Sequence, residues 1–370
     1  KKSKLLSGLL ACTVLISSLL IGCGDKKATS QKASADKKEI KVGFLYVGPI
    51  GDGGWTYSHN EGRLYLEKEL KVPTIYKESV KEDTAEVQKV TEDMINQGCN
   101  VIVGTSFGFM DGLEKEAKKH PEVKFLHCSG YKTSENMSTY FGRIYQARYL
   151  SGIVAGMKTK TNKIGYVAAF SIPEVVRGIN AFTLGVQSVN PNAKVMVKWT
   201  NTWYDPAKEK EAGKALLAEG VDVITQHQDT AGPQQAAEEK GAFSIGYNTD
   251  MKDKAPKAYM TAPIWNWGPY YVDQVKAIQQ GTWKSESYWK GLETGIVDLA
   301  ELTPNAPAGA KEAVEKAKKD IISGKNKIFV GPIKDQKGNI KVEDGKVMTD
   351  EELLKFDWFV QGVVGEIQNK

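Results

Sequence analysis

Four of the eight tryptophans in this chain, Trp55, Trp203, Trp265 and Trp267, fall just after runs that read as β-strands. In open α/β sheets, ligands bind beyond the carboxyl ends of strands, so these segments hold the candidate chemistry. The first strand is followed by Gly48-Pro49-Ile50-Gly51-Asp52-Gly53-Gly54-Trp55, the third by Gly104-Thr105-Ser106-Phe107-Gly108 and the fourth by Ser129-Gly130-Tyr131. Later strand ends carry Phe170, Trp203-Tyr204-Asp205, Gln226-His227-Gln228-Asp229, Tyr247-Asn248-Thr249-Asp250 and Trp265-Asn266-Trp267. Indoles interleaved with Asp and Asn suit a flat heteroaromatic solute. Ring faces stack on the indoles while carboxylates and amides read the edge hydrogen bonds. The competing reading is that the tryptophans pack an interface between lobes.

Two segments resemble enzyme motifs. Gly51-Asp52-Gly53-Gly54-Trp55-Thr56 lies between a strand and a helix, as a dinucleotide fingerprint does. It lacks the third glycine and places a carboxylate where a pyrophosphate would approach, which argues against that reading. Gly104-Thr105-Ser106-Phe107-Gly108 matches G-x-S-x-G in a strand–turn–helix context. A secreted hydrolase using Ser106 is therefore an alternative, but Asp205 or Asp229 with His227 are the only loose triad candidates, His227 precedes Asp229, and no HGGG-type oxyanion motif is visible. His59, His120, His127 and His227 show no metal-ligand spacing, so neither metal nor cofactor is expected.

These residues must be positioned by an alternation of short β-branched runs with amphipathic stretches, the pattern of parallel α/β architecture. One series runs from KVGFLYV (41–47) to STYFGR (138–143), with helices expected over Tyr57–Leu70, Ala85–Gln97 and Met110–Lys119. After a helix over Tyr145–Lys158, a second series starts at KIGYVAAF (163–170) and includes AYMTAPI (258–264) as one strand. The tail suggests a hairpin turning at Lys337-Gly338. Two Rossmann-like lobes joined by a hinge follow, with residues 39–143 plus 261–300 in the N-terminal lobe. Residues 144–260 and part of 301–370 form the C-terminal lobe. Such a body closes on a ligand. Cys99 opens the third strand and Cys128 closes the fourth, so parallel neighbours would keep their sulfurs apart and free.

Residues 1–22 read as a signal peptide: Lys1, Lys2 and Lys4 precede an apolar run from Leu5 to Ile21. The run ends Leu20-Ile21-Gly22-Cys23, similar to a lipobox, which would make Cys23 a lipidated N-terminus. Residues 23–38 are small, polar and charged, a flexible tether. Losing three lysines with the leader lowers the formal charge from +5 to +2, which gives no reason to expect nucleic acid.

On KVGFLYVGPIGDGGWTYSHNEG, YFGRIYQARYLSGIVAGMKTKTNKIGYVAAF, INAFTLGVQSVNP, GVDVITQH and GYNTDM, the chain resembles the basic membrane protein family. These are substrate-binding lipoproteins of ABC transporters with the type I periplasmic-binding-protein fold. The resemblance implies purine nucleosides as the usual ligand class, with other heteroaromatics such as a flavin also known. It implies stacking by Trp55 and Trp203 and a ribose contact from Asp250. Where nucleoside receptors carry a lysine, this chain has Trp265, which would fill the sugar's volume. The expectation is a non-enzymatic, monomeric receptor, tethered to the membrane only by its lipid, that delivers an adenine-like nucleobase to transporter membrane subunits. Asp52, Trp55, Ser106, Phe107, Phe170, Trp203, Gln228, Asp250 and Trp265 are the expected contacts. A nucleoside, flavin or sugar receptor is the nearest alternative.

Overall fold

A computed structural model describes residues 39–368; the leader and the whole tether, Cys23 included, lie outside them. The first sheet is built from β1 (Val42–Leu45), β2 (Thr74–Lys77), β3 (Val101–Gly104), β4 (Lys124–Cys128) and β5 (Met137–Gly142). Helices α1 (Trp55–Leu70), α2 (Thr84–Asn96) and α3 (Met110–Lys119) connect them, and α4 (Ile144–Lys158) leads to the second sheet. That sheet contains β6 (Lys163–Ala168), β7 (Lys194–Trp199), β8 (Val223–His227), β9 (Phe243–Ile245) and β10 (Tyr259–Thr261). Its connections are α5 (Pro173–Val189), α6 (Pro206–Ala218) and α7 (Gly232–Glu239).

The chain then runs through β11 (Pro263–Trp265), α8 (Gly268–Gln279), β12 (Ser287–Lys290), β13 (Val297–Leu299) and α9 (Ala310–Ile322). A tail follows with β14 (Ile333–Lys334), β15 (Ile340–Val342), α10 (Asp350–Leu354) and β16 (Val363–Val364). The sheet orders are β2-β1-β3-β4-β5-β12 and β16-β7-β6-β8-β9-β10, and every pairing within them is parallel.

Both orders reverse beside their first strand, between β1 and β3 and between β6 and β8. Such switch points open crevices at the strand ends. The central strands β1, β3 and β8 are buried throughout, as parallel strands covered on both faces must be. On one face of the first sheet, Val87, Val90 and Met94 of α2 and Leu113 and Ala117 of α3 pack against Leu45, Ile102 and Phe125. Tyr271 of α8 lies close to α1 at Gly62, where an added Cβ would come within 2.8 Å of its ring.

Residues 258–264 do not form one strand. β10 pairs with β9, whereas β11 pairs antiparallel with β13 in a separate ribbon. Pro263 begins that ribbon, a position where its missing N–H costs no ladder bond. β12 pairs with β5 at the edge of the first sheet, and β16 adds a last strand beside β7. Sequence periodicity did not indicate either: β12 is a half-exposed run of Ser287, Tyr288, Trp289 and Lys290, and β16 has two residues. The tail hairpin is present as β14 and β15, with Gly338 in the left-handed region at φ +85°. A capping box of Thr349 and Glu352 starts α10. Cys99 and Cys128 are free and buried.

Candidate functional site

The two switch points face one another across a cleft of about 310 Å³ of free space, including its mouth. Val47, Trp55, Ser106, Phe107 and Ser129 line it from the ends of β1, β3 and β4, with Glu174, Trp203, His227, Asp229 and Tyr247 from the second sheet's side.

Trp55 opens α1 and is 8 % exposed. Its indole N–H donates to Thr105 O at 2.7 Å. Behind it Trp265, Trp267 and His59 form a column, stacked at 4.5 Å and 15° and at 4.6 Å and 13°. Trp55 stands edge-to-face against all three. The column is pinned by Trp265 Nε1 donating to Asn248 Oδ1 and by the hydrogen bond between His59 Nδ1 and the Tyr271 hydroxyl. The N-terminal aromatic wall is therefore fixed before any ligand arrives.

Trp203 sits in the loop between β7 and α6, edge-to-face with Phe170 at 4.9 Å. Gln228 is wholly buried and supports that loop, its amide donating to Thr202 O and Trp203 O and its oxygen accepting from the Thr200 hydroxyl. Trp203 Nε1 donates to Glu82 Oε2 at 3.1 Å, reaching across to the loop between β2 and α2. The other Glu82 oxygen accepts from the Ser106 hydroxyl and from Gly108 N–H. One carboxylate thus joins both sides of the cleft. A second clasp is at the glycine loop: Thr249 Oγ1 donates to Gly53 O, and a Cβ on Gly54 would meet Asp229 O at 2.2 Å. The glycines of Gly53-Gly54 admit a facing backbone, not a pyrophosphate.

Burial shapes the cleft's charge. It pushes the Glu174 carboxyl up to about 7 against the pull of Arg177 and Arg148, and it raises Asp229 well above the carboxylate range. Burial also holds His227 far below the ordinary imidazole value, so its ring is neutral. Asp229 Oδ2 and the Tyr247 hydroxyl are buried without a protein partner. Among the described residues no Lys or Arg lines the cleft. Arg148 lies behind Tyr247, its guanidinium 3.9 Å from the ring centroid.

Of the nine residues expected from sequence, Trp55, Ser106, Phe107 and Trp203 line the cleft. Phe170 and Gln228 brace Trp203. Asp52 caps α1, its oxygens accepting from the N–H groups of Gly54, Thr56 and Tyr57. Burial raises its carboxyl, and nearby Glu209 adds to the rise. Trp265, expected to contact the ligand and fill a sugar's volume, stands against Trp55 and is not among the residues lining the cleft. Asp250 is exposed and faces a separate hollow with Trp265, Asn266 and Glu61.

Glu82 and Glu174 were missed, and His227, Asp229 and Tyr247, though placed at strand ends, were not among the nine expected contacts. One signal for the pair His227/Asp229 was present. Side chains alternate along a strand, so Gln226 and Gln228 turn into the lobe where His227 and Asp229 turn to the cleft. Ser106 Oγ donates to Glu82, and among the described residues no imidazole is hydrogen-bonded to it. His127 instead meets the Ser106 carbonyl, and burial lowers it to about 4.

Two parallel α/β lobes with an aromatic cleft between their switch points define a solute receptor of the type I periplasmic-binding-protein fold. Residues 39–329 match the family of PnrA-like ABC transporter substrate-binding proteins, and the chain belongs to that family. It is 44 % identical over 333 residues to a purine-binding protein of Brucella abortus (strain 2308), covering 90 % of this chain and 95 % of that one. It is 37 % identical to a putative ABC transporter glucose-binding protein of Haloferax volcanii, covering 93 % and 85 %. A solute-binding protein of an ABC transporter from Aeropyrum pernix K1 shares the fold with a TM-score of 0.67 at 22 % identity, covering 80 % and 93 %. Family and fold are those of extracytoplasmic solute-binding proteins, not of enzymes.

Proposed function

We propose that this protein captures a neutral purine nucleobase, adenine-like, between Trp55 and Trp203 and delivers it to the membrane subunits of an ABC transporter. The observation that carries the reading is the pairing of two aromatic walls with buried, unpartnered polar atoms, Asp229 Oδ2 and the Tyr247 hydroxyl, in one cleft. Such atoms are costly unless a ligand satisfies them. A purine offers flat faces to the indoles and alternating donors and acceptors to Asp229, Glu174 and neutral His227. Phosphorylated ligands are disfavoured, because Glu82, Glu174 and Asp229 stand at the site and no cation among the described residues lines it. The purine-binding relative supports the same ligand class. The exposed position of Asp250 removes one expected ribose contact, which favours the base over the nucleoside.

Titration calorimetry with adenine, adenosine and glucose tests this reading. Tight binding of adenine, with adenosine at least tenfold weaker, is expected. Equal binding of adenosine would replace the base by the nucleoside, and binding of glucose alone would overturn the purine class. We further propose that Cys23 carries a lipid and is the protein's only membrane attachment, and that the protein acts as a monomer. The lipobox-like Leu20-Ile21-Gly22-Cys23 supports the anchor. Cys23→Ser should move the protein from the membrane pellet to the soluble fraction; retention in the pellet refutes it.

A further inference from the structure

We infer that the N-terminal lobe holds a divalent-metal site, suited to zinc, made by Glu92, Glu116 and His120 at the ends of α2 and α3 farthest from the cleft. One ligand atom from each residue lies within 4.8 Å of the others. Glu116 and His120 are one helical turn apart, so they share a face of α3. Glu92 comes from the neighbouring helix. His120 Nε2 lies 3.0 Å from Glu92 Oε1 and 3.7 Å from Glu116 Oε2.

The second observation is Glu116 itself. Its side chain is 0 % exposed, and Oε2 has no hydrogen-bond partner. Its other oxygen accepts from Gln88 and Lys119. A buried carboxylate oxygen left unpaired and aimed at an imidazole nitrogen needs a partner, and a cation between them supplies one. On the far side of the ring, Glu122 Oε1 lies 3.4 Å from His120 Nδ1. Without a cation His120 Nε2–H donates to Glu92 Oε1; an ion at Nε2 would displace that proton, and Glu122 is placed to accept from Nδ1–H in the metal-binding tautomer. Metal-ligating histidines are oriented in this way.

One imidazole nitrogen and two carboxylate oxygens, with water completing the shell, fit the borderline Zn²⁺ ion. Lys119 is the competing cation, with Nζ 2.7 Å from Glu116 Oε1 and 3.9 Å from Glu92 Oε1. Its side chain is 54 % exposed and free to swing into solvent. Linear spacing hid the site, because Glu92 and His120 meet only through the packing of α2 on α3.

The lobe's starting geometry also says what the site would do. The loops that open α2 and α3 carry Glu82 and Ser106 at the cleft, whereas the cluster sits near the helices' other ends. Ten residues of helix place it on the order of 15 Å away. A bound ion would tie the two helices together without touching the solute.

Titration of the untagged, purified chain with ZnCl₂ tests the inference, because the other described histidines, His59, His127 and His227, are buried. One equivalent should bind, and His120→Gln, at a half-buried surface position, should abolish it without unfolding the lobe. Glu122→Gln should weaken binding about 10- to 100-fold, the usual effect of losing an orienting carboxylate. Lys119→Ala should strengthen it. Absence of saturable one-to-one binding at micromolar zinc, or binding that His120→Gln leaves unchanged, would overturn the site. Neither outcome bears on the purine cleft.

Discussion

The two walls of the cleft are built on different principles. Trp55 is held on its sides away from the cleft: an indole hydrogen bond to Thr105 O, a column of three rings behind it, and the first turn of α1 beneath. Trp203 belongs to a half-buried loop, and its indole N–H is satisfied by Glu82 on the opposite side. The first wall is preorganised, while the second is completed only when the sides meet. A receptor built this way keeps one rigid stacking surface for recognition and uses the other to convert binding into closure.

That contrast is open to a direct break. Trp55→Ala should carry the largest effect and act twice. It removes a stacking face and leaves a cavity among Trp265, Trp267 and His59, at a stability cost of roughly 3–5 kcal/mol, read by chemical denaturation. Trp203→Ala should cost about 1–3 kcal/mol of purine affinity by calorimetry, the range for losing a base-stacking ring, while the denaturation midpoint stays nearly unchanged. If both substitutions unfold the protein equally, or if Trp203→Ala leaves affinity intact, the distinction between a fixed and a closing wall fails.

The architecture was largely legible because its strands are central and parallel. Runs such as VGFLYV (42–47) and VIVG (101–104) have no polar face and must be buried on both sides. What was illegible lay at the edges. Trp289 and its neighbours form β12 only because β5 offers an open edge, and Val363 finds β7 in the same way. In the site, aromatic anchors announced themselves by type and place at strand ends. Their supports did not. Glu82 acts through a contact made across the cleft, and Glu174 is a helix N-terminal acid like many on a protein surface until α5 is aimed at the cavity. Trp265 shows the limit of reading a position by analogy: its place in the chain suggested a ligand wall, and packing made it the backing of another wall.

Glu174 supplies the most selective test of closure. Arg177, Arg148 and Glu82 face it, and burial dominates, raising its carboxyl from 4.5 to about 7. A carboxyl with a raised value in the closed form takes up a proton on closing. Closure is then favoured fully below about pH 4.5, where both forms are protonated, and loses ground as pH rises toward 7. Purine affinity measured by calorimetry should fall by up to about 100-fold across that window and level off above it. Glu174→Gln keeps the shape and hydrogen-bonding edge of the neutral acid, so its affinity should stay flat over the same range. Were the slope to survive the substitution, proton uptake would lie with Asp52, Asp229 and neighbouring Glu209, the other raised carboxyls of this region. Closure would then be sensed at the glycine-loop clasp, not at the aromatic wall.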